Sequence, residues 1–136
     1  MMAVLKDFSL NPDTIMRYLI FLLPVLSCYD VEKECNAFKL GTFEFSTIIS
    51  GEIKTSRFIR SKSLEIEFYE NNIDSASVKW VNDCEFILTK INPKSNQDKR
   101  PVKIEILSTE GKEYFFEYSL VNKPKKRFRG RATKIN

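Results

Sequence analysis

From residue 41 onward, apolar side chains recur at every second position. Phe43, Phe45, Thr47 and Ile49 alternate with polar neighbours, and Leu64, Ile66 and Phe68 alternate with Glu65 and Glu67. The same spacing runs through Ala76, Val78 and Trp80, through Phe86 and Leu88, through Val102, Ile104 and Ile106, and through Tyr114, Phe116, Tyr118 and Leu120. Successive side chains of an extended chain point to opposite faces, so each run reads as a strand buried on one face. Turn-forming stretches separate the runs: Ser50-Gly51, Arg60–Lys62, Glu70–Ser75, Asn82-Asp83, Asn92–Asp98, Glu110-Gly111 and Asn122–Pro124. This pattern predicts eight strands, over 41–49, 52–59, 63–69, 75–81, 84–91, 101–108, 112–121 and 127–135.

The links are short and no stretch has the 3.6-residue spacing of an amphipathic helix. The expected fold class is therefore all-β: an antiparallel up-and-down meander of about eight strands, curled into a small barrel or half-barrel that hides its edges. It is either a packed barrel or a lipocalin-like cup, with a two-sheet sandwich as the alternative. Eight strands leave an interior that side chains just fill or that holds one small ligand. Phe43, Phe45, Phe68, Trp80, Phe86, Phe116 and Tyr118 make a bulky inward set, which points to a mostly packed interior. A cavity lined by Phe45, Phe68, Trp80 and Phe116 would instead make the domain a carrier of a small apolar ligand.

The one long apolar run lies upstream, Tyr18-Leu-Ile-Phe-Leu-Leu-Pro-Val-Leu-Ser-Cys28. A spanning helix needs roughly 20 apolar residues, so this run is too short, and Pro24 interrupts it. With Arg17 before it, it has the form of a signal-peptide apolar region. Its ending, Val25-Leu26-Ser27-Cys28, resembles the lipobox of bacterial lipoproteins. The resemblance implies that Cys28 is acylated, carrying palmitate-type chains, and becomes the first residue of the mature protein. The alternative is an apolar helix buried in a core. Asp7 and Asp13 are acidic where a signal should be basic, so residues 1–15 read as a mis-assigned start or a disordered extension. The expected organisation is then 16–27 signal peptide, 28–40 tether and entry segment, and 41–136 β domain. The expected address is the cell envelope, anchored by lipid to the outer membrane on its periplasmic or surface face.

Composition narrows the chemistry. The 136 residues carry 22 Lys+Arg against 18 Asp+Glu, a formal charge of +4, and no histidine. Ser-His-Asp and Cys-His nucleophiles and histidine metal sites are thereby excluded. The four glycines form no phosphate-binding motif. If Cys28 carries lipid, Cys35 and Cys84 remain as an even pair in an oxidising compartment, and a disulfide between them is expected.

The segment Val78-Lys-Trp-Val-Asn-Asp-Cys-Glu-Phe-Ile-Leu88, with Cys35-Asn-Ala-Phe-Lys-Leu-Gly-Thr-Phe-Glu-Phe45, resembles a group of small uncharacterised Bacteroidetes lipoproteins from Cys28 to the end. Members of that group are often labelled "DNA topoisomerase IV". Strand passage needs a DNA-gate tyrosine domain and an acidic magnesium site or an ATPase module, each far larger than this chain, so the residues do not support the label. The resemblance implies a lipid-anchored β domain and names no ligand.

Trp80 reads either as a ligand platform or as a core residue beside the disulfide. Asp83, Glu85, Glu65 and Glu67 offer carboxylates, but nothing in the sequence sets any two at the roughly 5–9 Å needed for glycoside chemistry. No enzyme, cofactor or metal is expected. The last stretch holds seven basic residues and no acid from Lys123 to Lys134. Lys125, Lys126, Arg127, Arg129 and Arg131 form a candidate patch for anionic lipid or lipopolysaccharide headgroups. The alternatives are an edge strand guarded by charge and, were the protein cytosolic, a nucleic-acid binder; the envelope address sets nucleic acid aside. The sequence thus points to a non-catalytic binding or structural module of the envelope.

Overall fold

Eight antiparallel strands follow one another in a computed structural model that describes residues 32–136. The expectations for residues 1–31, including the signal peptide and acylated Cys28, lie outside the described residues. The strands are β1 (Gly41–Ile49), β2 (Glu52–Arg60), β3 (Leu64–Tyr69), β4 (Asn72–Asn82), β5 (Glu85–Lys90), β6 (Val102–Glu110), β7 (Glu113–Leu120) and β8 (Phe128–Lys134). Each pairs with the next and β8 returns to β1, so the sheet closes into a barrel. The expected strand ends hold to within a residue or two except at β4, which begins at Asn72. There Tyr69 pairs with Asn72, and a two-residue turn replaces the longer loop read from Glu70–Ser75. At the β1–β2 turn Ser50 (φ 53°) and Gly51 (φ 80°) are both left-handed, the arrangement a two-residue hairpin needs to match strand twist.

Directly opposed residues of an antiparallel pair share a face, so the register assigns the interior. Phe43 opposes Phe58, Val78 opposes Leu88, Trp80 opposes Phe86, Ile104 opposes Tyr118 and Phe116 opposes Gly130. One strand inverts the expected polarity. Phe58 opposes Glu67 and Arg60 opposes Glu65, which turns both glutamates of β3 inward and sends Leu64, Ile66 and Phe68 outward. Phe68, expected among the inward set, is 38% exposed. The cause sits on the neighbouring strand: Arg60 occupies an inward position of β2, and only the odd-numbered face of β3 can supply the carboxylate that a buried guanidinium needs.

The two ends of the barrel differ. At one end the chain enters through a single 3-10 turn, Cys35–Phe38, whose Cys35 and Phe38 are each 2% exposed. Cys35 is disulfide-bonded to Cys84 in the β4–β5 turn, as the cysteine count predicts, with 5.2 Å between Cα atoms and 49 residues between them in sequence. Phe38, Phe43, Phe86, Ile106 and Tyr114 fill this end with almost no exposure. The opposite end carries the β1–β2, β3–β4, β5–β6 and β7–β8 connections and is open. The expectation of a mostly packed interior therefore holds for one half of the barrel only.

The closing seam is short. Phe43, Glu44 and Phe45 of β1 pair with Lys134, Thr133 and Ala132 of β8, and Thr42 adds backbone bonds to Ile135 and Asn136. Beyond Phe45 towards the mouth, β1 pairs with β2 alone. β8 is thus a seam strand of a closed barrel, not a free edge.

Candidate ligand cup

The floor of the cup is a buried arginine. Arg60 ends β2 with its side chain 1% exposed. Its Nε donates to Glu65 Oε2 at 2.7 Å, its Nη1 to the Phe38 carbonyl at 3.0 Å, and its Nη2 to the Tyr114 hydroxyl at 3.0 Å. The guanidinium carbon lies 4.4 Å from the Phe86 ring centroid, 5.1 Å from that of Phe43 and 5.2 Å from that of Phe58. A charge removed from water needs a counter-ion and hydrogen bonds. Here every guanidinium nitrogen has a partner and the ring faces add cation–π attraction. Burial opposes the charge on Arg60, but Tyr114 and Glu65 outweigh it, and its pKa is raised. Burial pushes the Tyr114 phenol up, so it accepts from Arg60 as a neutral hydroxyl. Burial likewise pushes the Glu65 carboxyl up against the opposing pull of Arg60.

Trp80 belongs to this closed end. Its ring packs 4.5 Å from Phe86 between centroids, and Lys39 Nζ stands 5.2 Å above it while also bonding Asp83 at 2.7 Å. It lies beside the core cluster that includes Cys35, with Cys84 as a neighbour. Trp80 lines neither of the two cavities that follow, which corrects its expected place in a ligand wall. Phe68, facing outward, lines neither as well.

Above the floor lie two adjoining cavities. The deeper one, about 260 Å³, has Phe45, Phe116, Tyr118 and Ile104 on its walls, with Arg60, Glu65 and Glu67. The outer one, about 290 Å³, reaches the β5–β6 connection and is lined by Asp74, Lys90, Asp98 and Arg100 with Leu88 and Leu120. They share Glu65, Glu67 and Val102. The structure thus places Phe45 and Phe116 in a cavity wall, where the two rings lie 5.7 Å apart. A missing side chain permits this. A Cβ on Gly130 would stand 2.6 Å from Phe116 Cζ and 2.8 Å from Phe45 Cε2, so only glycine lets both rings lie against β8. The lone glycine inside a strand was the one sequence signal for that close approach.

The charged groups of the cup are unequally matched. Glu65 is held by Arg60. Lys90 Nζ lies 3.3 Å from Asp74 and 3.7 Å from Asp98. Glu67, an exposed residue whose cavity-facing place on β3 the sequence pattern hid, has no ion-pair partner among the described residues. Across the strand pair it opposes Asp74, a second acid. Among the described residues, no group of three or more His, Cys, Asp or Glu side chains could hold a metal ion.

The basic strand is a separate feature of the outer wall. Arg127 Nη1 lies 3.0 Å and Arg129 Nε 3.3 Å from Glu117, and Arg131 Nε lies 3.8 Å from Glu113. The glutamates of β7 therefore partner three of the five residues of the expected anionic-ligand patch. Lys126 Nζ stands 5.7 Å over the Phe128 ring, and Lys125 lies in the exposed turn before β8. No family model, curated protein or solved structure matches the chain.

Proposed function

We propose that the protein is a non-catalytic carrier module of the cell envelope, anchored through an acylated Cys28, that holds one small amphipathic molecule in the cup. The observation that carries this reading is the asymmetry of the barrel: one end is sealed by the disulfide, the 3-10 turn and Arg60, while the other opens onto an aromatic-walled cavity of about 260 Å³. Ligand pockets for drug-sized molecules begin near 300 Å³, so the occupant is small. The disulfide accords with an oxidising compartment. The pairing of Arg127, Arg129 and Arg131 with glutamates counts against nucleic acid as the partner and weakens the headgroup patch.

Two measurements test the parts separately. Labelled palmitate should appear on the wild-type protein and vanish with Cys28→Ser; equal labelling of both ends the anchoring claim. Titration with a neutral probe, phenylethanol, should shift the NMR methyl signals of Val102 and Ile104, and Ile104→Trp should abolish the shift by filling the cavity. No shift in the folded wild-type protein would reject the carrier reading.

A further inference from the structure

We infer that the cup selects organic cations: a protonated amine whose ammonium sits against Glu67 while its apolar body lies on Phe45, Phe116 and Tyr118. This rests on the carrier reading and names its ligand class. The deep cavity sets one arginine against two glutamates, Arg60 against Glu65 and Glu67. Arg60 spends its donors on Glu65, Phe38 and Tyr114. One uncompensated carboxylate, Glu67, then faces an aromatic wall.

Its surroundings sharpen the point. Glu67 opposes Phe58 on one side and Asp74 on the other. Like charges directly opposed across a strand pair repel, and Lys90, which lines the same outer cavity, is engaged with Asp74 and Asp98. A cation at Glu67 would remove that repulsion and gain attraction from the ring faces behind it. The outer cavity adds Lys90 and Arg100 against Asp74 and Asp98, so the two cavities together set three cations against four carboxylates. The cup is therefore negative in a protein whose formal charge is +4. Arg100 lines the outer cavity, which Glu67 also borders, but forms no ion pair with Glu67 and does not line the deep cavity. An anion in the deep cavity would meet Glu67 and, as cation, only Arg60, whose donors are already engaged.

The experiment compares three probes of one shape on the purified full chain at pH 7 and low salt: phenylethylammonium, phenylethanol and phenylpropanoate. Calorimetry gives the affinities, and the Val102 and Ile104 methyl signals report the location. The ammonium should bind at least tenfold more tightly than the alcohol, and the carboxylate most weakly. Glu67→Gln should lower ammonium affinity to the level of the alcohol; Glu67→Lys should reverse the order in favour of the carboxylate. Thermal unfolding of each variant establishes that it is folded. If the alcohol or the carboxylate binds as well as the ammonium, or if Glu67→Gln keeps the preference, the cation proposal falls while the carrier reading stands. If none of the three binds, both fall.

Discussion

Replacing Arg60 with methionine keeps most of the side-chain volume and removes the charge. Three groups then lose their donor: the Glu65 carboxylate, only 12% exposed, the Phe38 carbonyl and the Tyr114 hydroxyl. Breaking a buried ion pair from one side costs about 3–5 kcal/mol, because the surviving charge stays where water cannot reach it. Domains are stable by roughly 5–15 kcal/mol in total, so Arg60→Met removes a large share. For a domain near this size a loss of 1 kcal/mol lowers Tm by about 4–8 °C, which places the variant at least ~12 °C below wild type. Adding Glu65→Met removes the stranded carboxylate. What remains is an unpaired carbonyl and hydroxyl, about 1–3 kcal/mol each, which the single variant also bears, so the double variant should be more stable than the single one. Urea unfolding of oxidised protein, followed by circular dichroism at constant m value, measures all three. An Arg60→Met loss below about 1 kcal/mol, or a double variant no better than the single, would refute the account of Arg60 as a charge balanced by Glu65.

The same glutamate predicts a pH dependence. Its carboxyl is raised in the folded state, so the native protein holds that proton more tightly than the unfolded chain does. The stability it contributes is complete below the ordinary glutamate range, near pH 4.3, and is lost as pH climbs through the raised value. Glu65→Gln should flatten that part of the stability-versus-pH curve, and parallel curves for the two proteins would contradict the shift. Removing the disulfide with Cys35→Ala and Cys84→Ala should cost up to about 4 kcal/mol, read as a lower urea midpoint; an unchanged midpoint would mean that packing alone holds the 3-10 turn. Gly130→Ala should cost about 1–3 kcal/mol, since the Phe45 and Phe116 rings must yield to the new methyl, and it should also weaken phenylethanol binding. Stability and binding equal to wild type would show that the rings move freely.

The strands were legible because period-two alternation runs through all but β2, which turn residues mark off on both sides, and the disulfide was legible because assigning Cys28 to lipid leaves only one pairing. β4 was read as starting too late because Asn72, Asp74 and Ser75 have turn composition; pairing with Leu64–Tyr69 overrides it. Alternation divides a strand into two faces without saying which is inside. On β3 the apolar face, Leu64, Ile66 and Phe68, looks like the core face, and nothing local reveals that Arg60 of β2 demands glutamate there. The same ambiguity hid Glu67. Phe45 and Phe116 face the cavity because their strands follow the ordinary rule, whereas the place of Trp80 depends on where the barrel is sealed, a property of Cys35–Phe38 folding back under the sheet.

The brevity of the seam has a consequence for how the protein folds. Seven of the eight strand pairings join neighbours in sequence, and such hairpins form within microseconds. The eighth brings Phe43 to Lys134 from opposite ends of the domain and gains few pairs for the chain entropy it costs. Wall closure is therefore the entropically costliest pairing, and without it the sheet exposes two unpaired edges, β1 and β8. Unpaired edges are templates for other chains.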